Sequence, residues 1–265
     1  MTNSKTYGYV TAEYLKKIAE KQGRKVKQAS YKLLNIRKNS HVLDIGCGPA
    51  IDTINFSEHI GTKGQIVGLD NDHGMIEKAN AELKKHKTTK NVKHIVGDVQ
   101  SMPFTNSEFD RVHAERLFQV LPKTVNPLSV FAEMHRVLKT GGIMVLVDTD
   151  WATASVNYSN HELERRLVNF FAANMRPNGY AGRQLLEMLA NNGYREIKLQ
   201  VMPMVTRNFA ETPFGNWLTT EATKAKAATE EEMARWRKEL EEKTARHTFL
   251  SHVNVILSAG LKVAP

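Results

Sequence analysis

The chain has 265 residues, 41% of them apolar and 25% charged, a composition of a soluble globular protein long enough for one large domain or a domain with a lid. No run reaches the roughly 18 apolar residues of a membrane helix, the first ten residues lack the apolar segment of a signal peptide, and the single Cys47 excludes an internal disulfide and a multi-cysteine metal site; a cytoplasmic location is expected. The net charge of +9, with a pI near 9.5, is uneven: residues 1–40 hold ten Lys/Arg against Glu13 and Glu20, which is +8 in that segment alone. Such a segment suits nucleic acid, an anionic membrane surface or an acidic substrate, or is a solvated helix face.

In chain order, residues 11–34 have apolar positions near helical spacing (Leu15, Ile18, Ala19, Val26, Ala29, Leu33, Leu34), with Thr11 as N-cap. Strands and helices then alternate. Strands are expected at 41–45, 65–70, 91–97, 109–114 and 142–148, and helices at Ile51–Ile60, Met75–His86 and Pro127–Leu138, the last closed by Gly141-Gly142. After Trp151 come helices at His161–Met175 and Ala181–Asn192, a strand at 195–202, a charged helical block at 211–247 and a last strand at 249–260. The block opens with a capping-box pattern at Thr229-Glu230-Glu231-Glu232. This alternation predicts an α/β fold, a doubly wound, seven-stranded, mostly parallel sheet with helices on both faces. The expected organisation is an N-terminal helical cap (1–40), a Rossmann-like core (41–210 and 248–265) and a helical lid inserted before the last strand (211–247).

Ligands of such sheets bind past the carboxyl ends of the strands, where strand order reverses. Asp44–Gly48, Asp70, Asp98, Ala114–Arg116 and Asp148–Trp151 all stand at or just past predicted strand ends, so one rim should gather them. Asp70, 22 positions after Gly48, can accept hydrogen bonds from the two hydroxyls of an adenosine ribose. That fits both NAD and S-adenosylmethionine. Three features separate them: Ile51 stands where G-x-G-x-x-G needs its third glycine, Asp44 beside the turn would repel a pyrophosphate but pair with the ammonium of an amino acid, and Gly97-Asp98-Val99 at the end of the third strand supplies a carboxylate and an N–H for an adenine edge.

The segments VLDIGCGPA, VGLDNDHGMIEKA, VGDVQSMPF, FDRVHAERLFQVL and EMHRVLKTGGIMVLVDTDW, over residues 40–151, resemble class I S-adenosylmethionine-dependent methyltransferases of the type 11, small-molecule branch, and ANNGYREIKL is similar to the helix and strand after that family's core. One departure is Ala50, where many members carry a third glycine. The resemblance implies S-adenosyl-L-methionine as cofactor. Asp44, Gly46, Cys47 and Gly48 would lie at its methionine part, Asp70 and Asn71 at the ribose, Met75 on the adenine face, Asp98 and Val99 at the adenine edge, and Ala114 and Glu115 near the sulfonium end.

No catalytic side chain is obligatory for methyl transfer, because the cofactor brings its own leaving group and the protein supplies position. Arg116, Asp148 and Asp150 are the candidates for activating or orienting an acceptor, and Arg116, Gln119, Trp151 and Trp217 for binding it; each also has a purely structural alternative, a salt bridge or core packing. His113 reads as a packed strand histidine, and no metal site is expected. Tyr7, Tyr9, Phe209 and Phe214 could close an apolar acceptor pocket. The expected partner is a small-molecule methyl acceptor, with no membrane span. The competing functions are an RNA methyltransferase or nucleic-acid binder using the basic N-terminal helix, an NAD-dependent oxidoreductase, and a cofactor-binding protein without catalysis. Against the first stands the lack of an N-P-P-Y/F-type tetrad after the fourth strand.

Overall fold

The structure, a computed structural model, describes residues 11–21, 23–86 and 91–264; Tyr7 and Tyr9 lie outside them. A seven-stranded sheet is built from β1 (His41–Ile45), β2 (Gln65–Asp70), β3 (Val92–Val96), β4 (Phe109–Glu115), β5 (Leu138–Val156), β6 (Tyr194–Thr206) and β7 (Ser251–Lys262), in the order β3-β2-β1-β4-β5-β7-β6. β1 pairs in parallel with β2 and β4, β2 with β3, and β4 with β5, whereas β7 runs antiparallel to both β5 and β6. The expected doubly wound, mostly parallel sheet is the one observed. Strand order reverses between β1 and β4, which places a crevice over residues 45–49 and 115–119.

Side-chain alternation sorts the strands onto two cores. Val42, Val145, Val147, Val253 and Val255 face one apolar cluster, shared with α2 (Arg24–Leu34), α3 (Ile51–Ser57), α6 (His161–Asn174), α8 (Asn216–Lys224) and α9 (Glu230–Ala245). Leu43, Ile45, Val112, Met144 and Leu146 face the other, packed by α5 (Pro127–Val137) and α7 (Ala181–Ala190). Among the described residues no helix is long and apolar enough to cross a membrane.

Three elements differ from the sequence expectation. The single helix over 11–34 is divided at Gly23 into α1 (Ala12–Glu20) and α2. There the chain folds back so closely that a Cβ on Gly23 would stand 3.1 Å from the Ile18 carbonyl oxygen, and the Gly23 amide donates to that oxygen at 2.7 Å. The 211–247 block resolves into a 3₁₀ turn at Phe209–Glu211 followed by α8 and α9, the latter opened by the expected capping box between Thr229 and Glu232. Fully buried Trp236 of α9 donates its indole N–H to the Phe214 carbonyl at 3.0 Å, tying the block to the segment that covers the sheet rim.

The third difference bears on the site. β5 does not stop at residue 148 but continues to Val156, because β7 supplies an antiparallel ladder partner for Thr149 and Asp150. Asp148, Asp150 and Trp151 therefore stand within a strand rather than after it, and alternation sends the two aspartates to the opposite face from Thr149 and Trp151.

β3 is fixed to the helices through α4 (His73–Leu83): buried His94 places Nε2 2.8 Å from Thr53 Oγ1 of α3 and Nδ1 3.2 Å from Asn80 Oδ1 of α4. Its ring occupies the space that a Cβ on Gly68 would need, 2.6 Å away. Burial pushes the His94 imidazole down to about 4. The unfolded chain thus binds a proton below about pH 6.5 that the folded chain refuses until about pH 4. Unfolding free energy, measured by urea titration at a series of pH values, should fall as pH is lowered through that window, and the slope should diminish in His94→Gln.

Candidate functional site

A cavity of about 340 Å³ opens at the β1/β4 crevice. Its floor at one end is the turn after β1. Gly46 and Gly48 adopt left-handed φ values of 71° and 50°, which glycine reaches without steric cost. A Cβ at these positions would stand 3.4 Å from Leu117 and 3.6 Å from Leu15, so the missing side chains keep the cradle open. Ala50, the N-cap of α3, is also left-handed (φ 69°), a conformation disfavoured for a residue with a Cβ. Asp70 at the end of β2 accepts N–H bonds from Gly48 (2.9 Å) and Asp72 (2.9 Å), one on each carboxylate oxygen. Burial raises its carboxyl above the usual range against the pull of these donors. Each oxygen retains a second acceptor site for a ligand hydroxyl.

Beside the glycine turn lies an ion network absent from the sequence reading. Lys27 of α2 donates to both oxygens of Asp52 (2.9 and 2.8 Å) and to Glu115 Oε2 (3.0 Å), and Tyr31 donates to Asp52 Oδ1 at 2.5 Å. Lys27, Asp52 and Glu115 all line the cavity. Burial works to raise the Asp52 carboxyl, but Lys27, His113 and the Tyr31 hydroxyl together outweigh it and the group ends below its ordinary range. Burial likewise works to lower Lys27, and the two carboxylates reverse the result. The Arg116 Nε lies 3.8 Å from Glu115 Oε1, while its Nη2 donates to the Met204 sulfur at 3.2 Å. Arg116 is itself left-handed (φ 59°), held there by its amide bond to the Val147 carbonyl at 2.7 Å.

The predicted residues divide into three groups. Gly46, Cys47, Gly48, Asp70, Asn71, Met75, Glu115, Arg116, Gln119 and Trp151 line the cavity. Asp44, Asp98, Val99, Ala114, Asp148 and Asp150 do not. Asp44 is buried and pairs through Oδ1 with His113 Nδ1 at 2.8 Å; burial pushes its carboxyl up, and the carboxylate in turn raises His113. Ala114 faces the α5/α7 core, and exposed Asp98 turns its Oδ1 to the Gln100 amide at 2.8 Å. Asp148 is fully buried and pushed up to about 7, accepting from the amides of Gln119 (3.1 Å) and Thr149 (2.8 Å). Asp150 is held by Arg183 of α7 through Nε (2.7 Å) and Nη2 (2.9 Å). Trp217, the third case, lines an adjoining cavity of about 270 Å³ with Lys17, Lys21 and Glu211. Burial raises the Cys47 thiol, which leaves it protonated and no nucleophile.

Asp44, Asp52 and His113 bring ligand-type atoms within 4.8 Å of one another. Lys27 and Tyr31 donate to Asp52 and His113 pairs with Asp44 Oδ1, while Asp44 Oδ2 and His113 Nε2 are buried with no hydrogen-bond partner among the described residues.

The far end of the cavity is apolar and aromatic. Trp151 donates its indole N–H to Gln119 Oε1 at 2.7 Å, and Phe214 and Phe171 stand 6.5 and 4.9 Å from its ring. Arg176, buried at 6% exposure, lies 5.3 Å over Trp151. Sequence reading missed Arg176, Lys27 and Asp52. Lys27 is one of many lysines in a basic run, and only the helix packing shows that it turns inward.

Removing one partner of a buried ion pair leaves the other uncompensated, at a cost of about 3–5 kcal/mol. Lys27→Met should therefore destabilise the protein by about 3 kcal/mol in urea unfolding. The double variant Lys27→Met/Asp52→Leu should recover a large part of the loss; equal destabilisation of single and double variants would show that the pairing carries no such energy.

The family described as "Methyltransferase domain" matches residues 36–238. A demethylmenaquinone methyltransferase of Staphylococcus epidermidis is 38% identical over 122 residues, 45% of this chain and 47% of that protein. The chain spans about half the length of the curated relatives it matches. Among solved structures, the YcgJ protein from Bacillus subtilis superposes with a TM-score of 0.63 at 18% identity, covering 91% of this chain and all of that one. The geranyl diphosphate C-methyltransferase from Streptomyces coelicolor, solved with Mg²⁺, geranyl diphosphate and S-adenosyl-L-homocysteine, superposes with a TM-score of 0.56 at 15% identity over 96% of this chain and 85% of that one. These two likenesses are likenesses of fold. By the match over 36–238, on a sheet whose order and crevice agree with it, this chain belongs to the methyltransferase-domain family.

Proposed function

We propose that this protein transfers the methyl group of S-adenosylmethionine to an oxygen, nitrogen or carbon nucleophile of a small molecule. The observation that carries the reading is that the left-handed glycine turn, the capped Asp70 carboxylate and an aromatic chamber share one cavity at the topological switch point. The residues present suit the cofactor. Gly46 and Gly48 leave the backbone open to close approach, Asp70 offers lone pairs to a ribose diol, and Met75 lines the same end. The carboxylates that reach the cavity beside the turn are Asp52 and Glu115, which makes them, rather than buried Asp44, the groups for an ammonium. Asp98 and Val99 stand past β3 and would serve the adenine edge from the rim. When bound, the cofactor supplies an electrophilic methyl on a sulfonium, so the protein's work is to hold the acceptor in line and exclude water.

The α1 helix and the 211–247 block serve in this reading as cap and lid. Leu15, Ile18 and Ala19 of α1 line the cavity, and Lys17 and Lys21 pair with Glu211 at 3.0 and 3.3 Å. The same contacts weigh against a nucleic-acid role for the basic segment: Lys27 is buried, and Lys16, Lys17 and Lys21 are engaged by Glu82 and Glu211. Asp52 in the first turn of α3 weighs against NAD, since a pyrophosphate would meet a carboxylate where it needs bare helix N–H groups.

Isothermal titration calorimetry should show S-adenosylmethionine binding and no comparable binding of NAD. Asp70→Asn should weaken the sulfonium cofactor by tenfold or more, about 1.5–3 kcal/mol for a charged hydrogen bond, without unfolding the protein. Tighter binding of NAD, or an Asp70→Asn variant with wild-type affinity, would refute the assignment.

A further inference from the structure

Gln119 carries a hydrogen-bond donor that the fold itself does not use. Its Oε1 accepts the Trp151 indole N–H at 2.7 Å. An indole nitrogen only donates, so this bond fixes which end of the amide is oxygen and sets Nε2 at the other end. Nε2 has no hydrogen-bond partner among the described residues and yet is not sealed from solvent. Gln119 is 3% exposed and lines the cavity, so the cavity is where this nitrogen opens.

The residue is held firmly around that donor. Its amide donates to Asp148 Oδ2 at 3.1 Å, and its carbonyl accepts from the Asn178 amide at 3.3 Å. Trp151 in turn donates its own amide to the Gly179 carbonyl at 2.8 Å, and its ring stands 4.9 Å from Phe171. A donor fixed in this way loses little freedom when a ligand atom meets it. The ionic groups of the chamber are already engaged. Arg116 Nε lies 3.8 Å from Glu115 and its Nη2 meets the Met204 sulfur, Arg176 stacks over Trp151 with Nη1 3.4 Å from the Met175 carbonyl, and Glu211 receives Lys17 and Lys21. Val120, Met204, Phe214 and Val253 add apolar wall.

Resting on the methyl-transfer reading, we propose that Gln119 selects the acceptor, its Nε2 donating to a carbonyl or hydroxyl oxygen of an uncharged, largely apolar molecule. A hydrocarbon or an ammonium has no lone pair for these N–H groups and would leave them buried and unpaired, the arrangement by which a polar site rejects an analogue. The two ends of one amide thus have separate work: Oε1 orients Trp151, and Nε2 reads the acceptor. Gln119 belongs to the 115–119 segment at the switch-point crevice, in the same cavity as the glycine turn, so an oxygen held by it shares that space with the cofactor.

The test is calorimetry at about pH 8, where a carboxyl group is ionised, on protein saturated with S-adenosylhomocysteine. The probes are 2-acetylnaphthalene, 2-isopropenylnaphthalene (a methylene in place of the ketone oxygen) and 2-naphthol. Gln119→Glu keeps an oxygen for the Trp151 N–H but replaces the amide donor by an acceptor. Relative to wild type, it should lower the ketone-to-alkene affinity ratio by about tenfold and raise the naphthol-to-ketone ratio by a similar factor, because the phenol can donate to the new carboxylate. Gln119→Met should lower the ketone-to-alkene ratio without raising the naphthol-to-ketone ratio. A residue that merely props Trp151 would shift all three probes together. Such a common shift, unchanged ratios in Gln119→Glu, or failure of the wild-type protein to bind either oxygen-bearing probe would overturn the proposal. Failure of the wild-type protein to bind S-adenosylhomocysteine is a separate result, and it would overturn the methyl-transfer reading beneath it.

Discussion

The Lys27 ammonium, held between Asp52 and Glu115, is the interaction on which the site's shape depends. Three elements meet at that one charge: α2 from the N-terminal segment, the first turn of α3, and the end of β4. A buried carboxylate pair without a cation would repel and take up protons, and the start of α3 would separate from the end of β4. With Lys27 in place the start of α3 and the end of β4 are bridged at the switch point, and α1 and α2 lie over the glycine turn. Because the bridge is buried, it is worth little as net stability but is costly to break by halves; its effect is to fix which carboxylates face the cavity.

That constraint propagates into a division of labour among acidic groups. Asp44 and Asp148, both at strand ends by sequence, are withdrawn into the protein, one to His113 and the other to the backbone amides of the loop after β4. Asp148 thereby shapes the loop that carries Gln119, and Gln119 in turn orients Trp151. Asp52, Glu115, Asp70 and Asp72 are left as the carboxylates at the glycine-turn end of the cavity. The polarity of the chamber follows from the same arrangement, with acids around the glycine turn and guanidiniums around the aromatic floor.

Much of the fold was legible because the governing signals are local. The alternation of apolar strands and amphipathic helices, the turn glycines and the Thr229 capping box each depend on residues close in sequence. The Asp44–Gly48 turn, Asp70 and the segment after β4 were placed at one rim by topology alone. Local signals failed where a distant partner decided. Residues 149–156 read as a loop because nothing nearby announces a strand; β7, a hundred residues later, extends β5 and sets which face each of its residues takes. The helix over 11–34 is periodic throughout, and only the close return of the chain at Gly23 divides it.

The sequence by itself determined the sheet class, the glycine turn after β1 and the family, since these rest on spacing within short segments. Tertiary structure decided which of the charged groups became a site. Asp150 was a candidate for chemistry until Arg183 claimed it, and Lys27 was one charge in a basic run until α2 packing buried it. Burial and pairing are properties of three-dimensional neighbours, and a linear pattern does not encode which carboxylate a given cation will meet.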